Sequence, residues 1–373
     1  MCNRIQEIWA TVKKIDSPLN SNPCRCAAQV ARSLLLFQSM KSRDIRILGT
    51  GKYLPRRQVT GAELDRKLGL AEGSTTRISG VEVRHFASED ELNSVMGAHA
   101  CMAALENAQL KYEDIDAIVY VSGSVEQIIP CTAALVQKRL GKENSGTPCF
   151  DINATCLSFV TGLDVMSYLV DAGRYRKILL VSAEIASFGL NWKHLEAASL
   201  FGDGAAAVII GKSPEGETSH ILSSAMETYS SGSDTCRIEG GGSRLHAKHH
   251  LPGQEDERFL FAMDGRKAFK MAAEKIPAFL DRLFLGTSVT LKDVKLVVPH
   301  QASLSGMELL RRRIEVEKER WMTILPNHGN CIAASIPMAL HTAIEQKRIT
   351  RGDLILLVGT SAGFSMGGVL LEY

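Results

Sequence analysis

The sequence predicts an α/β protein with helices covering a sheet. Two observations carry this. From Asp44 onward, short β-rich apolar runs alternate with longer amphipathic stretches. That order then occurs twice, once from Asp44 to about Ser213 and once from about His220 to Tyr373, which suggests an internal duplication.

The strands expected on this pattern are Ile45–Leu48, Ala117–Ser122, Pro148–Ile152, Lys177–Ser182, Ala205–Gly211, Leu296–Val298 and Leu354–Gly359. They are the short β-rich apolar runs of that alternation. Between them, apolar residues at helical spacing predict helices over Leu92–Ala108, Thr132–Leu140, Ser158–Ala172, Arg266–Leu285, Ser305–Arg313 and Ile336–Gln346. The polar stretch Tyr229–Glu257, with Gly240–Gly242, reads as a long loop or insertion that would suit the lid or edge of a binding site. Its His246, His249 and His250 lack carboxylate or Cys neighbours at ligand spacing, so they read as a solvated loop and not a metal site. Residues 1–40 have poor periodicity and no small-residue cleavage site after a proper apolar region. They read as a dispensable extension, with Met40 as a sensible alternative start. The expected division is therefore an extension over 1–40, a first half over 41–213 and a second over 214–373.

Composition excludes several functions. Among 373 residues, 43 Lys plus Arg against 41 Asp plus Glu leave a net charge of +2, which is no footprint for nucleic acid or a membrane surface. The longest apolar runs fall far short of the roughly 20 residues that span a bilayer. Nine cysteines without framework spacing point to a reducing, cytoplasmic setting, and the lone Cys24-Arg-Cys26 pair lacks the second pair of a zinc site.

Three positions at element junctions could carry chemistry. Cys156, in Asp151-Ile-Asn-Ala-Thr-Cys156, ends a β-rich run and opens a helix, where the dipole and orphan N–H groups favour thiolate and could receive an oxyanion. The alternative is a small buried core cysteine, as Cys101, Cys131 and Cys149 are expected to be. His300 ends the run Leu296–Pro299, so its ring should project from the top of the sheet; a turn cap is the plainer reading. Asn330 follows Gly329 in a turn ahead of a helix, where a helix cap is the plainer reading. Gly363 and Gly367 allow close backbone approach to a ligand, or a tight turn. Asp203, between two glycines, is expected to be structural.

Taken together, Thr155-Cys156, Ser199-Leu-Phe-Gly-Asp-Gly-Ala-Ala-Ala207, Val298-Pro-His-Gln-Ala302, Gly329-Asn330, Ser335-Ile-Pro337 and the Gly-rich end resemble a known family. The span from Ile45 to Tyr373 is similar to β-ketoacyl-acyl-carrier-protein synthase III and its thiolase-superfamily relatives. The resemblance implies a thiolase-like fold: two duplicated halves in a five-layer α/β/α/β/α sandwich, usually a homodimer, with the site between the halves. Papain-like proteases share Cys, His and Asn, but in a different local sequence.

The resemblance also assigns roles. Cys156 attacks an acyl-CoA or acyl-carrier-protein thioester, with its own N–H and one near Ala362 and Gly363 as oxyanion hole. A second thioester, malonyl-CoA or malonyl-carrier protein, then loses carbon dioxide while neutral His300 and Asn330 donate hydrogen bonds to the enolate oxygen. No metal or redox cofactor is implied. Arg77 stands where relatives hold coenzyme A phosphate, while the adenine-stacking tryptophan of many relatives is replaced by a small residue near Gly73. Ser305 replaces a basic residue after the His motif, which leaves Arg311, Arg312 and Arg313 to attract an acidic carrier. Ile129 stands where some relatives place a glutamate reaching into the partner's pocket. The expectation is a 3-oxoacyl-carrier-protein synthase III-type condensing enzyme of fatty acid or related metabolite biosynthesis. Acyl transfer without condensation, a specialised ketosynthase and a non-catalytic carrier-binding scaffold remain alternatives.

Overall fold

The apolar runs assemble into two sheets of matching design. The computed structural model describes residues 42–250 and 256–373, so the readings of the 1–40 extension, Met40 and the Cys24/Cys26 pair lie outside the described residues. The first sheet has the order β1-β7-β6-β4-β5, from strands β1 (Ile45–Tyr53), β4 (Ala117–Val121), β5 (Cys149–Ile152), β6 (Lys177–Glu184) and β7 (Gly204–Lys212). The second has the order β11-β12-β13-β8, from β8 (His220–Thr228), β11 (Leu296–Pro299), β12 (Leu354–Ser361) and β13 (Ser365–Glu372).

The senses agree strand for strand. In the first sheet β4 and β6 are parallel, while β7 is antiparallel to both β6 and β1. In the second, β11 and β12 are parallel, while β13 is antiparallel to both β12 and β8. The counterpart of β5 survives as a single parallel bridge between Val297 and Trp321. An antiparallel pair, β2 (Arg57–Thr60) with β3 (Val83–Phe86), lies outside both sheets.

Period-two alternation divides the strand side chains among three cores. On the first sheet's outer face Ile118, Tyr120, Leu179 and Val181 pack with Met96, Ala100, Ala133 and Val136. The last four come from helices α3 (Asn93–Ala108) and α4 (Thr132–Arg139), which follow α1 (Gly61–Leu68) and α2 (Ser74–Ser79). The alternate residues Val119, Val121, Leu180 and Val208 face inward, as do Val298, Leu357 and Val369 of the second sheet. Between the two sheets lie α5 (Ser158–Asp171), through Leu163 and Met166, and α10 (Ser335–Glu345), through Ile336 and Leu340. On the far face Val297, Leu356 and Leu370 pack against Phe279 and Leu283 of α7 (Gly265–Phe284) and Met307 of α8 (Leu304–Arg313). Two short helices, α6 (Leu195–Ala198) and α9 (Leu325–His328), lie in the connections. The result is five layers, helix, sheet, helix, sheet, helix. Each fully buried Leu, Ile, Val or Phe contributes about 1.5–3 kcal/mol of transfer free energy to it.

The described part of the insertion is not a plain loop, because it pairs with the chain just beyond it. Strand β9 (Cys236–Arg237) pairs with β10 (Ala262–Met263) as a two-stranded ribbon, and Phe261 donates its N–H to Gly189 at 2.8 Å. It is thereby tied to the chain that leads into Ser199–Ala207.

Candidate active site

Two short turns with the same construction meet between the sheets. In the first half, the 3-10 turn Thr155–Leu157 precedes α5; in the second, the 3-10 turn Ile332–Ala334 precedes α10. Each opens on a β-branched residue at positive φ, Thr155 at 50° and Ile332 at 45°. Backbone held there costs about 1–3 kcal/mol and persists only where the surroundings impose it. Each turn closes on a serine that donates back three residues, Ser158 to Thr155 at 2.7 Å and Ser335 to Ile332 at 2.9 Å. Cys156 is the middle residue of the first turn; Ala333 takes its place in the second.

Cys156 is therefore held by a 3-10 turn, not by the first residue of the α-helix itself, which begins at Ser158. The expected thiolate preference is corrected. Burial, the Glu184 carboxyl and the Cys236 thiol push the Cys156 thiol up to about 12, with a hydrogen bond from Ser361 pulling the other way. Desolvation of the sulfur outweighs the turn's N–H groups, although the residue as a whole is only half-buried. Of the other cysteines, Cys101 is buried as expected, whereas Cys131 and Cys149 are only half-buried.

His300 directly follows β11 and is 5% exposed. Burial lowers its pKa to about 4, so the imidazole is neutral. Its Nδ1 lies 2.7 Å from Ser335 Oγ. A Cβ on Gly359 would stand 2.7 Å from His300 Cβ, so only glycine lets β12 pass this close to the ring. Asn330 is also 5% exposed. Its side-chain carbonyl accepts the Ile332 N–H at 2.9 Å and its amide nitrogen donates to Ala302 at 3.3 Å, which fixes the amide's orientation and leaves a second N–H for a ligand. The Ser199–Ala207 segment crosses here. Asn330 donates its N–H to Leu200 at 3.0 Å and accepts from Gly202 at 3.2 Å. A Cβ on Gly202 would meet the His328 carbonyl at 2.2 Å.

The halves are joined around Cys156. Thr155 Oγ1 contacts Ser361 Oγ at the end of β12, and Ser361 donates to Ala154 at 2.9 Å. Ala362 and Gly363 follow at the hairpin between β12 and β13, with Gly363 at φ 137°. Glu184, wholly buried, accepts Gly123 N–H at 2.6 Å, Ser124 N–H at 2.9 Å and Ser124 Oγ–H at 2.6 Å from the first half, and Ala333 N–H at 3.3 Å from the second. Burial outweighs these donors and raises its carboxyl to about 7. Sequence reasoning missed Glu184, Ser335 and Ser361 as working residues. Only Glu184 left a signal, a carboxylate closing an apolar strand run.

The remaining expected residues are mostly at the surface. Arg77 is exposed in the last turn of α2. Ile129 is 82% exposed, beside Ile128 at 76%. The basic run is partly occupied, since Arg311 and Arg312 both pair with Glu308 at 2.7 Å, and Arg311 also donates to the Val316 carbonyl. Arg312 and Arg313 are exposed. Asp203 is buried and accepts from Ala87 at 2.8 Å and Ser187 at 2.9 Å and 2.6 Å, bracing the loop ahead of the site. Among the described residues no cluster of three or more His, Cys, Asp or Glu could hold a metal ion, and no helix is long and apolar enough to cross a membrane.

Comparison with known proteins meets this geometry. A family model described as 3-oxoacyl-[acyl-carrier-protein (ACP)] synthase III matches residues 150–230, and the model of that family's C-terminal part matches residues 286–373. Beta-ketoacyl-[acyl-carrier-protein] synthase III of Aquifex aeolicus is 33% identical over 328 residues, 88% of this chain and 99% of that protein. Its counterpart in Clostridioides difficile is 32% identical over 327 residues, 88% of this chain and 98% of that protein. The crystal structure of 3-oxoacyl-[acyl-carrier-protein] synthase III from Aquifex aeolicus superposes with a TM-score of 0.79 at 31% identity, covering 89% of this chain and 100% of that one. OleA from Xanthomonas campestris, at 20% identity and a TM-score of 0.77 over 89% of this chain and 98% of that one, shares the fold.

Proposed function

We propose, from the premise that this chain belongs to the 3-oxoacyl-[acyl-carrier-protein] synthase III family, that Cys156 takes an acyl group from a thioester and passes it to a malonyl-derived carbanion. The chain is a condensing enzyme of the acyltransferase class. The observation that carries the residue assignment is that Cys156 of the first half, and His300 and Asn330 of the second, lie on turns and strand ends that pack together.

The steps follow from what each group can do. Cys156 Sγ attacks the thioester carbonyl, whose oxygen gains charge; the Cys156 N–H and the backbone at Ala362 and Gly363 are suited to receive it. The second thioester loses its carboxylate as carbon dioxide, and the electron pair moves onto the thioester oxygen. Asn330 offers that oxygen its spare N–H, and His300 the other hydrogen bond. The carbanion then attacks the acyl carbon and Cys156 is expelled. Thioester cleavage and loss of carbon dioxide supply the driving force, so the reaction calls for no cofactor.

An acyl-CoA or acyl-carrier protein would supply the primer, and malonyl-carrier protein or malonyl-CoA the extender. Arg77 is suited to coenzyme A phosphate, and Arg312 and Arg313 to an acidic carrier. A homodimer would cover Ile128 and Ile129, and a reducing cytoplasm would keep Cys156 a thiol. Carbon dioxide release from malonyl-carrier protein, measured with and without an acyl-CoA primer, tests the reading. Primer-dependent release that Cys156→Ala abolishes supports it. Transfer of acyl groups with no carbon dioxide release contradicts it.

A further inference from the structure

The contacts of Ser335 bear on which ring nitrogen of His300 carries the proton. The Ser335 hydroxyl is buried and has three neighbours: His300 Nδ1 at 2.7 Å, Gln301 N–H at 3.4 Å and the Ile332 carbonyl at 2.9 Å. A hydroxyl has one proton and two lone pairs. Gln301 N–H can only donate and the Ile332 carbonyl can only accept. All three contacts are satisfied at once only if Ser335 donates to Ile332 and accepts from both Gln301 and His300.

The duplicated turn supplies an independent control. Ser158, the counterpart of Ser335, has no imidazole beside it; its neighbours are the Ala154 N–H at 2.9 Å and the Thr155 carbonyl at 2.7 Å. Their roles admit one arrangement, with Ser158 accepting from Ala154 and donating to Thr155. The same turn, with the same backbone signs, places the Ser335 proton on Ile332.

We infer that Ser335 is a positioning residue that fixes resting His300 as the Nδ1–H tautomer, so that the Nε2 lone pair opens on the site and accepts the Cys156 thiol proton. The inference rests on the condensing reading above and deepens it. In the first half-reaction the Sγ–C bond forms, the thioester C–S bond breaks, the outgoing thiolate takes the electron pair, and the thiol proton moves to Nε2. In the second, His300 is for that interval an imidazolium and not the neutral ring of the resting site, held against its burial by the negative charge of the extender, and its Nε2–H is the hydrogen bond offered to the enolate oxygen. When the new C–C bond forms, Sγ regains its electron pair and takes the proton back. The donor needed late is the proton removed early, and Ser335 never has to turn.

The test uses the full chain labelled with 15N-histidine. NMR of the resting enzyme at neutral pH is expected to show the His300 proton on Nδ1; a proton on Nε2 would overturn the inference. This readout needs no turnover, so it stands even if the condensing reading fails. Single-turnover acylation of Cys156 is then expected to fall on the order of tenfold or more in Ser335→Ala, since a positioned general base contributes about 10²–10⁴-fold. Ser335→Thr, which keeps the hydroxyl, is expected to restore both the tautomer and most of the rate. Wild-type acylation rate and an unchanged tautomer in a folded Ser335→Ala would overturn it, as would failure of a folded Ser335→Thr to restore the tautomer. Absence of acylation in the wild type would sink the condensing reading instead.

Discussion

Glu184, at the end of β6 in the first half, accepts the backbone N–H of Ala333, at 3.3 Å, the residue that occupies in the second half the place of Cys156 in the first. One buried carboxyl thus ties the second-half turn to Gly123 and Ser124 of the first half, its other donors. Its proton is therefore coupled to the fold.

The pH dependence follows from that coupling. Folding raises the Glu184 carboxyl from 4.5 to about 7, so between those values the folded chain holds a proton that the unfolded chain has lost. Stability from this group falls as pH climbs through that window. His300 and His328 act the other way, because burial lowers both to about 4 and their contribution is lost as pH falls below the usual histidine value of 6.5. Urea unfolding of wild type and Glu184→Gln at pH 5 and pH 8 separates the terms. The variant is expected to be less stable at pH 5, with the gap narrowing toward pH 8 by a few kcal/mol at most, on the order of 3. A gap that widens with pH would contradict this assignment.

Cys156 should be a sluggish thiol in the absence of substrate. Its thiolate is disfavoured by burial and by Glu184, so alkylation by iodoacetamide, followed by peptide mass spectrometry, is expected to rise about tenfold per pH unit from 7 to 9. A rate already level at pH 7 would mean a thiolate held at neutrality.

Asn330 separates the two half-reactions. Asn330→Ala is expected to leave Cys156 acylation measurable while lowering carbon dioxide release by about 10²–10³-fold, the scale of one lost oxyanion donor. It also strands the Ile332 N–H, which Asn330 accepts at 2.9 Å, so about 1–3 kcal/mol of stability should be lost. Asn330→Asp keeps that acceptor and should recover stability without recovering decarboxylation. Thermal unfolding and carbon dioxide release, measured on both variants, check this.

Backbone crossing at the site leaves no room for a methyl group. Gly202→Ala would put its Cβ 2.2 Å from the His328 carbonyl, where a backbone atom must move. The expected loss is about 1–3 kcal/mol or more, read as a lower unfolding midpoint, with activity falling because Asn330 hangs on the same crossing.

Much of the fold was legible because strands buried on both faces read as continuous apolar runs. Each of the seven predicted strands and six predicted helices matches an observed element within a few residues. β8 and β13 were not legible, the first because His220, Ser223, Ser224 and Glu227 dilute its apolar signal, the second because Gly367 and Gly368 read as a turn. The duplication showed as order alone, whereas its clearest trace is the paired turns Thr155–Leu157 and Ile332–Ala334, which share only a β-branched first residue and the serine that follows. Chain position put Cys156, His300 and Asn330 at element junctions. The state of the thiol was not readable, because Glu184 and the burial that raise it come from elsewhere in the chain. Ser335 was visible only as part of a motif, since its tie to His300 spans 35 residues.

The central claim, that Cys156 carries the acyl group, is tested most directly by intact-protein mass spectrometry after incubation with acyl-CoA primers of several chain lengths, beside Cys156→Ala. A mass gain of one acyl group in the wild type, absent in the variant, is the predicted result. An equal gain in Cys156→Ala would place the acyl group on another residue and contradict the account.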